Sequence, residues 1–422
     1  MNQNNIAQQP DSVVMFIDMN SFFATCEQQV NYWLRGRPVV VCVYTGKQGC
    51  IISPSIEAKK RGVKMGLRLH EAMAICPELV PLETHPQRYR EFHKKFIAVL
   101  QQFSEDVVPK SIDEAYINFS SYKRIYKDFT KVAKDIKKKI TTDMGDWFKC
   151  SIGIAPNAFL AKLGTDLQKP DGLVVITPDN IDEVLSKLKL TDLPGIANGM
   201  AARLEKAGIK TPLQLRHSLP GTLKDACKSI VGLHWHYRLN FSEVDILSHD
   251  YKSMQAMRQI SKGQRQHIDT LNELLVSLCM TLEKRMVKQE VFCNEIFFNT
   301  SYENGDTWGD RIQTAHPVQD GMEILNYLKK RMFDWQSTRQ AAPLINTQLT
   351  SMGVGVTRFT TGEMLQFRLF EDNVRKDKLR KVVYDIKDKY GSDIIMRAIE
   401  LQDESVLKDV IGFGSIKDID RV

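Results

Sequence analysis

The sequence has no cysteine pattern typical of a disulfide framework or a zinc site, and no long apolar run. Its eight cysteines are scattered along 422 residues, without a C-x-x-C pair or a histidine at zinc-ligand spacing. The apolar runs at 13–17 and 38–43 are far shorter than the roughly 20 residues that a membrane-spanning helix needs. We therefore expect reduced thiols in a cytosolic protein, with no structural zinc, no disulfide and no membrane partner.

A signal peptide is also missing, because residues 1–12 are polar and carry neither a basic nor an apolar region. We expect these residues to form a loose tail. The chain has no large excess of one charge: 58 basic residues against 51 acidic ones give a net charge of +7. This balance favours a polyanionic partner without requiring one. The hydrophobic content of 43% is typical of folded proteins, and the length suggests roughly two to four domains.

Apolar periodicity predicts a mixed α/β core in the first part of the chain. The predicted elements are strands at 13–17 and 39–43, a helix at 88–103, a strand region at 107–119, a helix at 122–140 and a strand, turn and helix at 151–172. Turn formers at 177–180 indicate a boundary. Later predicted elements are strands at 291–299 and 349–357, in a separate β-containing domain, and a charged helical end from 371. The basic face of 122–140 fits both a DNA-facing stripe and an ordinary solvated helix face.

Acidic residues stand on or beside two predicted strands. Asp18 follows the apolar run in VVMFID, and the pair Asp113 and Glu114 lies in the β-rich segment SIDEAYINF. Carboxylates in a packed sheet are costly unless a positive group pairs with them, and their hard oxygen atoms suit Mg²⁺. From the residues alone, a metal site and ordinary solvated or capping carboxylates both remain open.

Four segments resemble, in order and spacing, successive signatures of the Y-family, or translesion, DNA polymerases. They are IDMNSFFATCE, SIDEAYINF, SIGIAPNAFLAKLGTDLQKPDG and LPGIANGMAARLEKAGI. Further along, MGVGVTRF and QFRLF resemble the family's last-domain strand and its clamp-binding peptide. The resemblance covers nearly the whole chain and extends to bacterial polymerase IV and the catalytic subunit of polymerase V. It implies a cytoplasmic bacterial protein.

The resemblance implies an α+β multidomain fold with the architecture of a right hand. The implied parts are a ferredoxin-like palm at 13–30 and 83–172, small fingers at 31–82, a helical thumb with a helix-hairpin-helix at 173–240, an α/β little finger at 251–362, and a C-terminal tail with a clamp-binding motif at 363–422. Small fingers imply a roomy active site that checks the nascent base pair weakly.

The resemblance also assigns a metal site. Asp18, Asp113 and Glu114 fall on the family's three metal-binding carboxylates, with the backbone carbonyl of Met19 as a further ligand. The implied cofactor is Mg²⁺, as two ions. The implied reaction is attack of a primer 3′-hydroxyl on the α-phosphate of a dNTP, with pyrophosphate leaving.

Phe23 falls on the family's steric gate, a bulky ring that would clash with a 2′-hydroxyl. The residues that the resemblance places against the triphosphate are Phe22, Phe23, Ser53, Lys59 and Lys162. Seen alone, either phenylalanine fits a plain core position, and Lys162 fits a solvated one. Ile56 and Lys59 stand where many relatives carry tyrosine and arginine. Lysine cannot make the bidentate fork that arginine makes to phosphate, so we expect a weaker or differently arranged grip.

Two further segments resemble binding motifs. The helix-hairpin-helix would direct backbone N–H groups at a DNA phosphate, and its implied contact residues are Gly195, Ala197 and Gly199. Ala197 stands where a second glycine is usual. In QFRLF, Gln366 would be a polar anchor for a sliding clamp, and Leu369 and Phe370 would fill an apolar pocket. Alternatively, the Leu-Phe pair packs the start of a tail helix.

The sequence thus predicts a template-directed DNA polymerase for translesion synthesis, of low fidelity and low processivity. Its implied partners are primer-template DNA, a dNTP, a sliding clamp and a possible mutagenesis accessory subunit. One alternative is a non-catalytic accessory subunit of a mutagenesis complex, although the three carboxylates argue against it. A second is a nucleotidyl cyclase with a palm fold, which the hairpin, the basic balance and the clamp-like peptide disfavour.

Overall fold

A computed structural model describes residues 12–245, 252–340, 342–362, 373–391 and 394–397. The chain divides into two units near residue 247, here called the N-terminal unit and the C-terminal unit. Within the described part of the chain, no helix is long and apolar enough to cross a membrane.

The N-terminal unit mixes strands and helices. Its strands are β1 (Val14–Met19), β2 (Val39–Cys42), β3 (Ile51–Pro54), β4 (Val80–Glu83), β5 (Val107–Pro109), β6 (Glu114–Asn118), β7 (Cys150–Ala155) and β8 (Leu173–Val175). Its helices are α1 (Phe22–Val30), α2 (Ile56–Lys60), α3 (Leu69–Ile75), α4 (Pro86–Gln101), α5 (Phe129–Met144), α6 (Ala158–Leu167), α7 (Ile181–Ser186), α8 (Asn198–Lys206), α9 (Pro212–His217), α10 (Pro220–Cys227) and α11 (Val231–Leu239).

The larger sheet of this unit has the strand order β5-β6-β1-β7-β8. β1 pairs antiparallel with both β6 and β7, and all six of its residues are buried. Because side chains alternate along a strand, Met15 and Ile17 pack in one core with α4 and α5, whereas Val14 and Phe16 pack on the other face with α6. Burial on both faces explains why β1 is a continuous apolar run. Asp18 continues the row of Val14 and Phe16, so it lies on the α6 face.

A smaller sheet, ordered β3-β2-β4, forms with α2 and α3 a second core in the region predicted to be the fingers. The helical region after β8 packs on α6, since Leu160 of that helix shares a core with Leu204 and Trp235. The larger sheet continues after α6, at its edge strand β8. β8 pairs parallel with β7, because the turn after α6 returns the chain to the same sheet.

The C-terminal unit is an antiparallel sheet with helices. Its elements are β9 (Ser253–Gln259), α12 (Ile268–Lys288), β10 (Val291–Tyr302), β11 (Thr307–Val318), α13 (Gly321–Arg339), β12 (Leu349–Thr361) and α14 (Asn373–Tyr390). The strand order is β11-β10-β12-β9, and α12 and α13 share its core. The mixed α+β class predicted from the sequence is confirmed. The helix predicted at 122–140 begins only at Phe129, where the Asp128 side chain accepts hydrogen bonds from the N–H groups of Thr130 and Lys131.

Candidate active site

The antiparallel register of β1 and β6 brings the predicted carboxylates to one place. Asp18 lies directly opposite Glu114 in the register. The Met19 N–H donates a hydrogen bond of 2.9 Å to the carbonyl of Asp113. The three acidic residues are therefore neighbours although almost a hundred positions separate the first from the others. Asp18 is buried, with 5% of its surface exposed.

A lysine of α6 bridges two of these carboxylates. The Lys162 amine lies 2.5 Å from Asp18 Oδ2 and 2.5 Å from Glu114 Oε1. It reaches them because α6 packs directly on β7 at Gly153, where a Cβ atom would lie 2.0 Å from the carbonyl oxygen of Ala161. The backbone of α6 therefore lies directly against β7, with no side chain between them at Gly153.

Lys169 is a second cation at Asp18. It was not among the site residues predicted from the sequence. Its amine lies 2.9 Å from Asp18 Oδ2 and 2.8 Å from Asp166. It sits in the segment QKPDG between α6 and β8. That turn-forming segment, placed directly after the helix of Lys162, is the only signal in the sequence that points to it.

Burial and these lysines set the ionisation of the site. Burial would raise the pKa of Asp18, but Lys162 and Lys169 outweigh it and hold that pKa below its usual value. Burial raises the pKa of Glu114 to about 7, although Lys162 acts in the opposite direction. Burial also raises the pKa of Asp113, against a hydrogen bond of 2.5 Å from the Ser111 hydroxyl. For Asp113 and Glu114, the nearby positive charge therefore does not offset the effect of burial on the pKa.

The residues present fit a divalent cation by their chemistry. Buried carboxylates with raised pKa values are groups that a bound cation would stabilise, and oxygen ligands alone suit Mg²⁺. Within the described residues, however, no three His, Cys, Asp or Glu side chains are gathered as a metal-binding group. Asp18 and Glu114 instead engage Lys162.

The residues predicted around the nucleotide lie on α1, α2 and β3. The ring of Phe23 stacks on Tyr89, with 4.4 Å between centroids and 22° between planes. The N–H of Ala24 donates to the Ser53 hydroxyl at 3.4 Å, which joins β3 to the same helix. Phe22 faces the core, where its centroid lies 6.4 Å from that of Phe148. The structure therefore places Ser53 against α1, and it buries both Phe22 and Phe23 in one core, with 2% and 5% of their surfaces exposed.

Lys59 lies on α2, the short helix that directly follows β3. Burial lowers its pKa, and repulsion from Lys169 lowers it further, whereas Asp18 and Asp113 act to raise it. It therefore interacts electrostatically with the same cluster as Lys162. Ile56 opens α2 and offers no polar atom from its side chain.

The other predicted binding residues lie elsewhere. Gly195 has a φ of +85°, a conformation that favours glycine. Ala197 is the N-cap of α8 in an extended conformation, and Gly199 lies in the first turn of that helix. The predicted clamp-binding residues Gln366, Leu369 and Phe370 lie outside the described residues.

Family models match two parts of the chain. The model described as the impB/mucB/samB family matches residues 17–166, and that of the impB/mucB/samB family C-terminal domain matches residues 251–369. The first match contains all three carboxylates and Lys162.

The chain is similar to proteins named DNA polymerase IV. That of Oceanobacillus iheyensis is 27% identical over 389 residues, which cover 91% of this chain and 90% of that protein. That of Bacillus velezensis is 25% identical over 404 residues, covering 93% and 94%. That of Saccharolobus solfataricus is 34% identical over 200 residues, covering 47% and 56%.

Solved structures with a similar fold include a Y-family DNA polymerase chimera of Dbh and Dpo4. It superposes with a TM-score of 0.68 at 22% identity, covering 83% of this chain and 100% of that chain. An insertion ternary complex of Dbh DNA polymerase superposes with a TM-score of 0.58 at the same coverage. At this level of identity, the likeness shows a shared fold.

Proposed function

Since the chain belongs to the impB/mucB/samB family of Y-family DNA polymerases, we propose that it is a DNA-directed DNA polymerase for translesion synthesis. It transfers a nucleotide from a dNTP to the 3′-hydroxyl of a primer annealed to a template, with low fidelity and low processivity. The observation that carries the proposal is the pairing of Asp18 with Glu114 across β1 and β6, beside Lys162 and Lys169.

The ligands proposed for two Mg²⁺ ions are the carboxylates of Asp18, Asp113 and Glu114 and the carbonyl of Met19. The chemistry that such ions supply when bound is activation of the attacking hydroxyl and stabilisation of charge on the leaving pyrophosphate. The role of the protein is to hold four oxygen donors on the ends of paired strands, where the register of the sheet fixes their spacing.

Lysines supply the positive charge for the triphosphate in this proposal. The amines of Lys162 and Lys169 contact Asp18, and Lys59 interacts with Asp18 at longer range. A triphosphate is a negatively charged group that suits such a cluster of amines. As point charges, lysines tolerate varied phosphate positions better than the planar fork of arginine does. This tolerance suits an enzyme that accepts distorted base pairs.

Phe23 is the proposed steric gate, with Ser53 beside it. Its ring is held from behind by Tyr89, so a 2′-hydroxyl on the nucleotide would meet an aromatic face that cannot withdraw freely. Phe22 contributes to the same aromatic packing.

Primer extension by the purified full-length chain tests the activity. We expect templated incorporation of dNTPs, both on an undamaged template and opposite an abasic site, that depends on Mg²⁺ and stops when EDTA is added. Extension that is absent with both Mg²⁺ and Mn²⁺ would contradict the proposal and favour the non-catalytic accessory subunit. Formation of a cyclic nucleotide from a free triphosphate would favour the cyclase.

Two partners complete the proposal. A sliding clamp would bind Gln366, Leu369 and Phe370, and the helix-hairpin-helix at Gly195, Ala197 and Gly199 would bind the DNA backbone. A mutagenesis accessory subunit is a further possible partner, by analogy with polymerase V.

A further inference from the structure

Glu27 is a buried carboxylate on α1, one turn after Phe23. Its side chain is 4% exposed and accepts hydrogen bonds from three donors. The Tyr89 hydroxyl donates to Oε1 at 2.8 Å, the Nδ1 atom of His85 lies 3.0 Å from the same oxygen, and Arg88 binds Oε2. These three partners belong to the first turn of α4 and the residue before it. One carboxylate therefore fixes the start of α4 to α1.

Tyr89 connects this carboxylate to Phe23. Its ring is fully buried and stacks on the Phe23 ring at 4.4 Å, with 22° between the planes. Its hydroxyl is held by Glu27, so the ring cannot slide along the face of Phe23 without losing a buried hydrogen bond. Because none of its surface is exposed, Tyr89 acts on a bound nucleotide only through Phe23.

A steric gate discriminates only as far as its ring resists displacement, since a side chain can yield by leaving its rotamer well. The backing of Phe23 therefore matters as much as its size. We propose that Glu27 is a positioning residue for sugar selection, which holds Tyr89 as a rigid support behind Phe23. The inference rests on the proposed polymerase function and on Phe23 as its gate.

The next residue on α1, Gln28, offers a matched control. It is equally buried, but its amide nitrogen donates to the carbonyls of Leu34 and Arg37 and to the Glu57 carboxylate. Its oxygen accepts from the Trp147 ring nitrogen. These bonds join α1 to neighbouring segments. None of them reaches Tyr89, so Gln28 shares the burial of Glu27 but not its connection to Phe23.

The test measures kcat/KM for single-nucleotide insertion of a dNTP and of the matching rNTP by the full-length chain. We expect Phe23→Ala to lower the dNTP-to-rNTP ratio on the order of a hundredfold. Tyr89→Phe should lower it roughly threefold to tenfold, because it removes one buried hydrogen bond. Glu27→Gln should lower it at least as much, because it also removes the charge that pairs with Arg88. The dNTP reaction itself should change less. Gln28→Met, which removes buried hydrogen bonds of the same helix without placing a new charge beside Glu57, should leave the ratio unchanged.

A double variant separates a shared pathway from two independent effects. Tyr89→Phe removes the donor of the hydrogen bond to Glu27, and Glu27→Gln weakens its acceptor together with the contacts to His85 and Arg88. If both act through Tyr89, the double variant should be no worse than Glu27→Gln alone. Tyr89→Leu removes the ring and should lower the ratio further, towards that of Phe23→Ala.

Each outcome decides between the proposals. If Glu27→Gln keeps the dNTP-to-rNTP ratio of the parent while Phe23→Ala lowers it, Glu27 has no role in sugar selection. The assignment of Phe23 as the gate would still stand. An unchanged ratio in Phe23→Ala overturns the gate, although primer extension still stands. An equal loss of the ratio in Gln28→Met shows a general packing effect and also overturns the inference. If Glu27→Gln fails to fold in a thermal unfolding scan, Tyr89→Phe tests the same hydrogen bond.

Discussion

At the scale of single residues, Lys162 determines the electrostatics of the site. Its amine separates Asp18 from Glu114, and those carboxylates raise its own pKa although burial acts to lower it. Without the amine, two partly desolvated carboxylates would face each other across one strand pair. Lys162 therefore has a structural as well as a chemical role.

Replacing Lys162 by Ala should lower both activity and stability. We expect kcat/KM for nucleotide insertion to fall on the order of a hundredfold or more, as when an electrostatic stabiliser of a transition state is lost. The free energy of unfolding should fall by about 1–3 kcal/mol, because buried charged acceptors lose their donor. Insertion kinetics and urea unfolding measure the two effects.

Lys139→Ala is the control for this change, since Lys139 pairs with Asp143 on the surface of α5. A surface pair contributes roughly 0–1 kcal/mol, so this variant should match the parent in insertion kinetics. If Lys162→Ala behaved like Lys139→Ala, the electrostatic role of Lys162 would be wrong.

Replacing Asp113 or Glu114 by Ala should abolish incorporation and leave DNA affinity largely intact. The loss is of metal ligands and not of the basic surfaces that bind phosphates. Primer extension and fluorescence anisotropy with labelled primer-template measure the two properties. Glu183→Ala, in the exposed Asp-Glu pair of α7, is the matched control and should extend primers like the parent. Turnover near the parental rate in Glu114→Ala would reject the site assignment.

The sequence predicted which carboxylates belong together, and the structure brings them together. Their catalytic role stays a prediction. The strand pattern alone left a metal site and ordinary carboxylates both open, and it was the family resemblance that assigned Asp18 and Glu114 to one site. Lys169 was missed because its contact with Asp18 depends on the path of the chain after α6. No local pattern distinguishes a lysine in such a turn from a solvated one.

At the scale of elements, the position of α6 depends on glycine. Gly153 on β7 and Gly164 on α6 face each other, and a Cβ added at Gly164 would lie 3.1 Å from the Cα of Gly153. The helix backbone consequently lies against the strand. This close approach sets how far the Lys162 amine reaches over the sheet.

Gly153→Val should therefore destabilise the protein and reduce insertion together. The added side chain would overlap the Ala161 carbonyl, and overpacking of this kind costs typically 1–3 kcal/mol. Displacement of α6 would also withdraw Lys162 from Asp18. Gly221→Ala is the control, because nothing lies within 4 Å of an added Cβ there. Unchanged thermal unfolding in Gly153→Val would show that α6 can shift without cost.

Elements were predictable where their apolar period was strong. The helix at 88–103 appears as α4 and the strand at 39–43 as β2. By contrast, β3 and β4 were not predicted, because four-residue strands carry too little periodicity. The helix predicted from residue 122 begins instead at Phe129, as α5. The Asp128 side chain caps the helix there, although the apolar pattern continues upstream.

At the scale of the whole molecule, the two units have separate hydrophobic cores. The core clusters of the N-terminal unit share no residue with the cluster of the C-terminal unit. The family that the motifs predicted is confirmed by family models on both units. The division into palm, fingers, thumb and little finger stays a prediction, because apolar patterns identify elements and not the boundaries between packed groups of them.

The clamp-binding segment gives a prediction that concerns the intact chain. Changing Gln366, Leu369 and Phe370 together to Ala should leave single-nucleotide insertion nearly unchanged and remove stimulation by a sliding clamp. Tethering raises the local concentration of an enzyme that dissociates often. Extension assays with and without a loaded clamp measure the stimulation. Equal stimulation of the triple variant and the parent would show that the clamp binds elsewhere, or not at all.

The ribosome makes the central strand of the larger sheet well before it makes the two strands that pair with it. β1 covers Val14–Met19, whereas its two partners are Glu114–Asn118 and Cys150–Ala155. At synthesis rates of roughly 5–20 residues per second, the nascent strand waits on the order of ten seconds for its second partner. An unpaired apolar strand is prone to aggregate during such a wait. Asp18 can meet Glu114 as soon as β6 has been made, so the carboxylate pair forms without β7, whereas the sheet stays open on the other side of β1 until β7 arrives.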